Sequence, residues 1–293
     1  MWLLLAVLST LFIGVSSILS KIGIKDADPY VTGAVTNTVL LASFAVTAAF
    51  TESFGQVQDM GFGTWVSVAA SGIVLSVSWA FYFLGLKGGS ISVFLAIQSL
   101  TIVFSMVLCA VVLGEKITGF MVFGAVMIAA GTVLMMKREE IEALKGKGIW
   151  RGEERWILFA GLSAVFASVS YVIVKADTAP IDTNVTSTFR YLIVVASLWV
   201  LLFTKKRQSQ FARIGGRTWV FILLGATASG AGHVLVYKAL FLGKAAVIMT
   251  IYRMGMVISI ILSRIFLKEK LSKKGWAGFC LLAAGVAVFA MGR

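Results

Sequence analysis

Basic and aromatic side chains lie in the middle of long apolar stretches of this sequence. Arg190 adjoins Tyr191 in one stretch, and Arg253 adjoins Tyr252 in another. An ionisable residue deep in an apolar segment indicates a functional site, because its burial is costly. The guanidinium fork suits a carboxylate or phosphate, to which it donates two parallel hydrogen bonds. We therefore expect at least one of the two arginines, Arg253 beside Tyr252 or Arg190 beside Tyr191, to bind an anionic group. The alternative is that each guanidinium satisfies backbone carbonyls between helices.

The only histidine, His233, lies in a further apolar stretch, and Tyr237 follows one helical turn later on the same face. His233 can hydrogen-bond a substrate or respond to protons near neutral pH, or it can be a buried and satisfied histidine. The other candidates for the same site are polar and aromatic residues of two earlier stretches, namely Gln98, Trp79, Tyr82 and Ser78. The alternative for the polar ones is hydrogen bonding between helices, for which Ser and Gln are ordinary.

Several kinds of chemistry have no support in the sequence. No Asp or Glu lies in the middle of an apolar stretch, and Glu115 and Glu269 stand at edges, where they suit the positive end of a helix dipole. An enzyme needs positioned nucleophiles, metal ligands or acid–base pairs, and a nucleotide-driven pump needs a phosphate-binding loop. The sequence therefore predicts no enzyme, no metal, no cofactor and no ATP-driven pump, and it favours an anionic or zwitterionic substrate.

The elements that carry these residues are ten apolar segments. The chain is 59% apolar and 13% charged, whereas a soluble domain is about 25% charged. Runs of about 20 apolar residues span a bilayer, and they must be helical because lipid cannot satisfy exposed backbone groups. The predicted segments are 2–20, 31–50, 64–86, 91–113, 117–136, 156–174, 183–203, 218–241, 245–267 and 275–291.

The two halves of the sequence resemble each other. A shift of 154 positions aligns them without a gap, so that the pair Trp2 and Lys21 meets Trp156 and Lys175. Glu115-Lys116 likewise meets Glu269-Lys270. Chance similarity between apolar helices would not hold one register across loops, so we interpret the match as internal duplication.

The duplication predicts an all-α membrane protein of ten transmembrane helices in two five-helix repeats. The first repeat is residues 1–136, a polar connector covers 137–155, and the second repeat is 156–293. Because each repeat has an odd number of spans, the second must enter the membrane from the opposite side, which makes the repeat inverted. Such an arrangement suits alternating access to a site at the interface of the halves.

The net charge of +13 predicts orientation rather than nucleic-acid binding. Most Lys and Arg fall in loops on one side, including those at 137–155 and 205–217, whereas the loop near Gln56 has none. By the positive-inside rule the basic loops are cytoplasmic. With ten spans both termini then lie outside, and a bacterial-type inner membrane is the expected location.

Short motifs resemble those of the EamA-type branch of the drug/metabolite transporter superfamily. They are Gly-Glu-Lys at 114–116, Lys-Glu-Lys at 268–270, Ala-Ala-Gly-Thr-Val-Leu at 129–134 and Ala-Ala-Gly-Val-Ala-Val at 283–288. The resemblance implies a basket of helices around a central cavity lined by spans 1, 3, 4, 6, 8 and 9. It also implies export or exchange of metabolites, amino acids or drugs. Many members of this family have cytoplasmic termini, from which the charge pattern here departs.

The sequence thus predicts a secondary transporter that moves a small anionic or zwitterionic metabolite by alternating access. An amino acid and an organic or phosphorylated anion are both compatible with it. The alternatives are an uncoupled channel or facilitator and a multidrug or metabolite exporter. The expected partners are a small-molecule substrate and the lipid bilayer, without nucleic acid, and the sequence leaves a homodimer undetermined.

Overall fold

The computed structural model describes residues 1–145, 154–177, 179–242, 248, 251–252 and 254–292, without the side chains of Lys145, Tyr237, Leu240 and Phe241. Throughout this part of the chain the regular elements are helices, and two short 3-10 helices lie in loops at Ser53–Asp59 and Gln208–Arg213. The α-helices are α1 (Trp2–Lys25), α2 (Pro29–Phe50), α3 (Phe62–Gly88), α4 (Ile91–Leu113), α5 (Gly119–Met135), α6 (Arg138–Lys145), α7 (Arg155–Ala176), α8 (Thr183–Thr204), α9 (Gly216–Leu242), α10 (Gly255–Phe266) and α11 (Lys273–Met291).

Most of these helices are long and apolar enough to cross a membrane. Eight pass on length and composition within the described residues, namely α1 to α4, α7, α8, α9 as far as Val236, and α11. Helices α5 and α6 pass only as a pair bent by 114°, which makes the count up to nine. The predicted segment 245–267 lies partly outside the described residues, and its described helix, α10, has 12 residues.

The same helix boundaries recur 154 residues apart. Asp28 accepts a hydrogen bond from a backbone N–H at the start of α2, as Asp182 does at the start of α8. Thr118 and Ser272 cap α5 and α11 in the same way. Such N-caps satisfy backbone donors that the first turn of a helix leaves free. The matching caps show that similar residues fold the two halves alike at these positions.

Backbone conformation also repeats just after the C-terminal ends of helices. Glu52 and Lys206 follow α2 and α8 with a φ of 53° in each case, and Gly114 and Lys268 follow α4 and α10 with φ values of 67° and 55°. Left-handed residues of this kind commonly end helices. Three of the four carry a side chain, for which this conformation is uncommon, so their recurrence at one spacing reflects equivalent local structure.

Helices from the first part of the chain pack mainly against helices from the second part. Helix α1 packs on α9 and α10, and α3 packs on α7 and α8. The pairs exchange under the shift of 154: α1 with α9 corresponds to α7 with α3, whereas α2 with α8 and α5 with α11 correspond to themselves. The core is therefore formed between the two parts of the chain.

Helices α1 and α7, which correspond under the shift of 154, run in opposite directions. Lys21, near the end of α1, donates to the carbonyl of Gly89 just before α4 begins. Lys175, near the end of α7, pairs with Glu115 just after α4 ends, at 2.6 Å. Helix α4 is about 34 Å long at 1.5 Å per residue. The C-terminal ends of α1 and α7 therefore lie at opposite ends of α4.

One end of the bundle, which we call the lysine-rich end, carries most of the basic loop residues that the structure describes. There α1 and α3 end, α4 begins, and Arg207 after α8 pairs with Asp28 before α2, at 3.6 Å. The end where Lys175 pairs with Glu115 is called the opposite end. This distribution agrees with the sequence-based division of the loops into a basic and a less basic side.

Candidate functional site

His233 and Tyr252 form the polar pair at the centre of the candidate site. His233 lies on α9, and its Nδ1 is 2.8 Å from the carbonyl oxygen of Ser229, one turn earlier. Because a carbonyl oxygen only accepts, Nδ1 carries the proton in this bond. In the neutral ring Nε2 is then an acceptor, and the Tyr252 hydroxyl, 3.3 Å away, donates to it. The histidine is thus held by both ring nitrogens.

Three further residues surround this pair and complete what we call the His233 cluster: Phe44, Arg190 and Tyr191. Phe44 of α2 presents its ring edge-on to His233, with centroids 6.0 Å apart, and lies 5.0 Å from the ring of Tyr191 on α8. The guanidinium carbon of Arg190 is 5.8 Å from the centroid of the Tyr191 ring. Its charge also lies near enough to His233 for an electrostatic interaction. The cluster thus joins α2, α8, α9 and residues 251–252.

The guanidinium of Arg190 is incompletely satisfied. Its Nε atom is buried and has no hydrogen-bond partner. No Asp or Glu among the described residues forms a salt bridge with it. The residue as a whole is half-buried, but an unpaired buried donor loses its bonds to water without replacement. The arginine therefore offers a donor and a positive charge to a ligand.

A second group of residues, the Trp79 cluster, lies nearer the lysine-rich end. The Trp79 ring on α3 is 5.1 Å from Tyr82 and 5.6 Å from Phe83 between centroids. Its indole Nε1 is buried without a partner, as are Thr36 Oγ1 and Asn37 Oδ1 on α2. These uncharged groups could hydrogen-bond a ligand as donors and acceptors.

Packing of α2 on α3 brings these groups towards one another. A Cβ atom at Gly33 would lie 3.0 Å from the Phe83 ring, which stacks on Trp79. Asn37 follows Gly33 by one helical turn on the same face, and its Nδ2 donates to the Gly33 carbonyl at 2.9 Å. The unpaired Oδ1 of Asn37 and Nε1 of Trp79 therefore belong to neighbouring faces of α2 and α3.

The two clusters occupy equivalent positions of the two halves at different depths. The shift of 154 takes Trp79 to His233 and Gln98 to Tyr252. Trp79 lies about 14 Å before the lysine-rich end of α3, and His233 lies about 25 Å beyond the lysine-rich end of α9. The clusters are thus separated by about 12 Å along the bundle.

Two predicted site residues bind the backbone of a neighbouring helix. The buried hydroxyl of Ser78 donates to the carbonyl of Ser163 at 2.9 Å, and Nε2 of Gln98 donates to the carbonyl of Ala160 at 3.2 Å. Both acceptors belong to α7. Both bonds join one helix to another, which is the alternative role stated for Ser78 and Gln98. The single hydrogen of the Ser78 hydroxyl is used in this bond.

The structure leaves two other predictions undescribed. Arg253 lies outside the described residues, as does the side chain of Tyr237, although the backbone of Tyr237 is part of α9. Within the described residues no group of three His, Cys, Asp or Glu side chains could hold a metal ion. Of the predicted residues, the structure brings Arg190, His233 and Tyr252 together in the His233 cluster and Trp79 and Tyr82 together in the Trp79 cluster.

Phe44 and Tyr191 join the site through packing that the sequence did not reveal. Tyr191 had one signal, because it adjoins Arg190 and corresponds to Asn37 in the first half. Phe44 had none, since it is one of 21 phenylalanines in the chain. Phe44 belongs to the cluster only because its ring contacts His233 and Tyr191 in the folded chain.

Two cavities are lined by no residue of either cluster. One of about 370 Å³ lies between α3 and α8, and one of about 520 Å³ lies at the lysine-rich end, where α5 meets α6 and α11 begins. None of the predicted site residues lines either cavity. The His233 and Trp79 clusters are instead defined by side-chain contacts within the bundle.

Comparison with known proteins identifies the class of molecule. The model of the EamA-like transporter family matches residues 1–137 and 154–291. A protein of Sinorhizobium sp. described as "Uncharacterized transporter in cobO 3'region" is 30% identical over 138 residues, which are 47% of this chain and 98% of that protein. A solved crystal structure, 20% identical in sequence, has a similar fold, with a TM-score of 0.68 over 97% of this chain and 94% of the other. With its apolar helices and a family match over nearly its whole length, this multi-pass membrane chain belongs to the EamA-like transporter family.

Proposed function

We propose that this chain is a secondary transporter that moves a small anionic or zwitterionic metabolite by alternating access. In this proposal residues 1–136 and 156–293 are two inverted repeats of five spans each, and residues 137–155 connect them. The opposite directions of α1 and α7 support the inversion. The relative from Sinorhizobium sp. supports the repeat unit itself, because its match covers 138 residues, about the length of one repeat.

The observation that carries the choice of substrate is the buried, unpaired Nε of Arg190. A charged arginine in a spanning helix is costly unless it meets an anion or a polar cavity. Within the described residues no carboxylate forms a salt bridge with it. A carboxylate or phosphate of the substrate would satisfy the guanidinium, and the adjacent pair of His233 and Tyr252 would adjust its hydrogen bonds to the ligand.

The orientation in the membrane follows from the basic residues of the loops. We place the lysine-rich end in the cytoplasm, by the positive-inside rule, and both termini outside, in a bacterial-type inner membrane. A reporter that is active on only one side of the membrane, fused after residue 293, tests this orientation. A signal from the cytoplasm would contradict it.

The experiment begins with purified protein and a panel of metabolites. A ligand that binds only the folded state raises the melting temperature, so thermal shifts select candidate substrates. Saturable counterflow of the selected ligand in proteoliposomes then measures transport. Counterflow supports a carrier, whereas a voltage-dependent single-channel current with no counterflow would contradict it and favour an uncoupled channel. Stabilisation and counterflow by hydrophobic cations alone would instead favour a multidrug exporter.

The decisive variant is Arg190→Gln, with Arg217→Gln as the matched control. A hydrogen bond to a charged group contributes ~1.5–3 kcal/mol, so we expect the affinity for the anionic ligand to fall by about 10- to 150-fold. Arg217 lies at the beginning of α9, outside both clusters, and its guanidinium contacts Phe221; its variant should bind normally. Unchanged affinity in a folded Arg190→Gln protein would remove Arg190 from the site.

A further inference from the structure

A cavity of about 520 Å³ opens at the lysine-rich end, where α5 ends and α6 and α11 begin. It is independent of the transport site, because no residue of the His233 or Trp79 cluster contributes to it. Its size is within the range of small-molecule sites in proteins. The residues that line it are Met136, Lys137, Arg138, Ile141, Glu142, Ser272 and Lys274.

The wall of this cavity carries an excess of positive charge. Arg138 is paired with Glu142 at 3.0 Å, on an exposed face of α6. Lys137 and Lys274 also line the cavity, and neither forms a salt bridge within the described part of the chain. The N-terminal ends of α6 and α11 border the same space and add to the positive potential. An anion is therefore the chemical class of ligand that the cavity favours.

The floor of the cavity is apolar and fixed. Met136 is buried, and Ile141 packs against the main hydrophobic core. The bend of 114° turns α6 away from the axis of α5, and Glu140 is buried with its carboxylate accepting the N–H of Lys137 at 2.8 Å. The bend thus places a basic rim above an apolar floor at the point where a spanning helix ends.

We propose that this cavity binds the phosphate of an anionic phospholipid, with Lys137 and Lys274 as the pair that holds the headgroup. A lipid is favoured over a soluble phosphate because the cavity lies at the end of apolar helices, where headgroups are found. Val133, one turn before Lys137 on α5, is 50% exposed, and Leu144 on α6 is 47% exposed. These side chains give the acyl chains an apolar surface beside the basic rim.

The test uses the full-length protein in a mild zwitterionic detergent with short-chain lipids as probes. Dioctanoyl phosphatidylglycerol, dioctanoyl phosphatidylcholine, glycerol 3-phosphate and inorganic phosphate are each titrated while the melting temperature is followed. Only phosphatidylglycerol should raise it in a saturable manner. Equal stabilisation by phosphatidylcholine would overturn the requirement for charge, and equal stabilisation by glycerol 3-phosphate or inorganic phosphate would overturn the lipid in favour of a soluble ligand.

The variants separate this cavity from general surface charge. Each lysine beside an anionic surface contributes about fivefold in affinity, so the double variant Lys137→Gln/Lys274→Gln should raise the half-saturating phosphatidylglycerol concentration about 30-fold. The matched control is Lys270→Gln/Lys273→Gln, which removes two exposed charges just before and at the start of α11 that do not line the cavity. An equal loss in the control would refute the site. Should the double variant fold poorly, the exposed Lys274→Gln alone should show the fivefold change, and no change would refute the proposal.

Discussion

Replacing Gly131 with alanine tests the contact between α5 and α11 most directly. A Cβ atom at Gly131 would lie 2.7 Å from the carbonyl oxygen of Gly278 and 2.7 Å from the backbone N of Leu282. Ordinary contact begins at 3.4 Å, so the new methyl group would be about 0.7 Å too close to both atoms. Both are backbone atoms, which cannot move away by changing a rotamer. The two helices would have to separate.

The expected cost combines two opposing effects. Overpacking in a close-packed contact costs about 1–3 kcal/mol, whereas alanine favours the helix over glycine by about 1 kcal/mol. We therefore expect Gly131→Ala to reduce the free energy of unfolding by up to about 2 kcal/mol. The corresponding glycine in the second half, Gly285, would place its Cβ atom 2.7 Å from Met127 and 3.0 Å from the Gly124 carbonyl. Its alanine variant should lose a similar amount.

The measurement is unfolding by sodium dodecyl sulfate in mixed micelles, followed by tryptophan fluorescence and far-ultraviolet circular dichroism. The matched control is Gly161→Ala on α7, where an added Cβ atom meets no atom within 4 Å. Without a clash only the helix preference remains, so this variant should be neutral or more stable by up to about 1 kcal/mol. Equal stability changes in Gly131→Ala and Gly161→Ala would refute the close contact of α5 with α11.

Two further predictions concern hydrogen bonds that join the halves. Glu269→Gln should reduce the free energy of unfolding by about 1–2 kcal/mol, because the Glu269 carboxylate accepts from the first two backbone N–H groups of α4 and from a serine hydroxyl. The comparison is Glu115→Gln. Its partner Lys175 is partly exposed, so this variant should reduce the free energy of unfolding by less than about 1 kcal/mol. Ser78→Ala should lower stability by about 1 kcal/mol through its lost bond to α7 while leaving the KM of counterflow unchanged, and a raised KM would return Ser78 to the transport site.

The helices themselves were largely predictable from the sequence. The predicted segment 91–113 coincides with α4, and 183–203 differs from α8 by one residue at its end. Both agreements have the same cause, because each apolar run is bounded by residues that cap a helix, such as Ser90 before α4. The bend between α5 and α6 was not predicted, since a polar helix packed across the end of a bundle lacks the apolar signal of a span.

The composition of the candidate site was less predictable than the fold. In a spanning segment apolarity marks the whole helix, so the pattern does not say which face meets a neighbour. Ser78 and Arg190 were therefore equally plausible as ligands or as packing residues. Ser78 finds the backbone of α7, whereas Arg190 keeps a buried Nε without a partner. That difference depends on how α3 and α8 are placed against their neighbours, which only tertiary structure defines.

The two clusters correspond in position but differ in charge. The shift of 154 takes Thr36 to Arg190 and Trp79 to His233, and the reciprocal packing of the helices gives each pair equivalent neighbours. Only one of the two positions carries a charged group. In the proposed carrier an anion would therefore be attracted most strongly nearer the opposite end, while the buried Nε1 of Trp79 and Oγ1 of Thr36 offer uncharged hydrogen bonds about 12 Å away. An elongated substrate, with its negative charge at one end and a polar group at the other, would satisfy both clusters, whereas a compact anion would leave the indole unpaired.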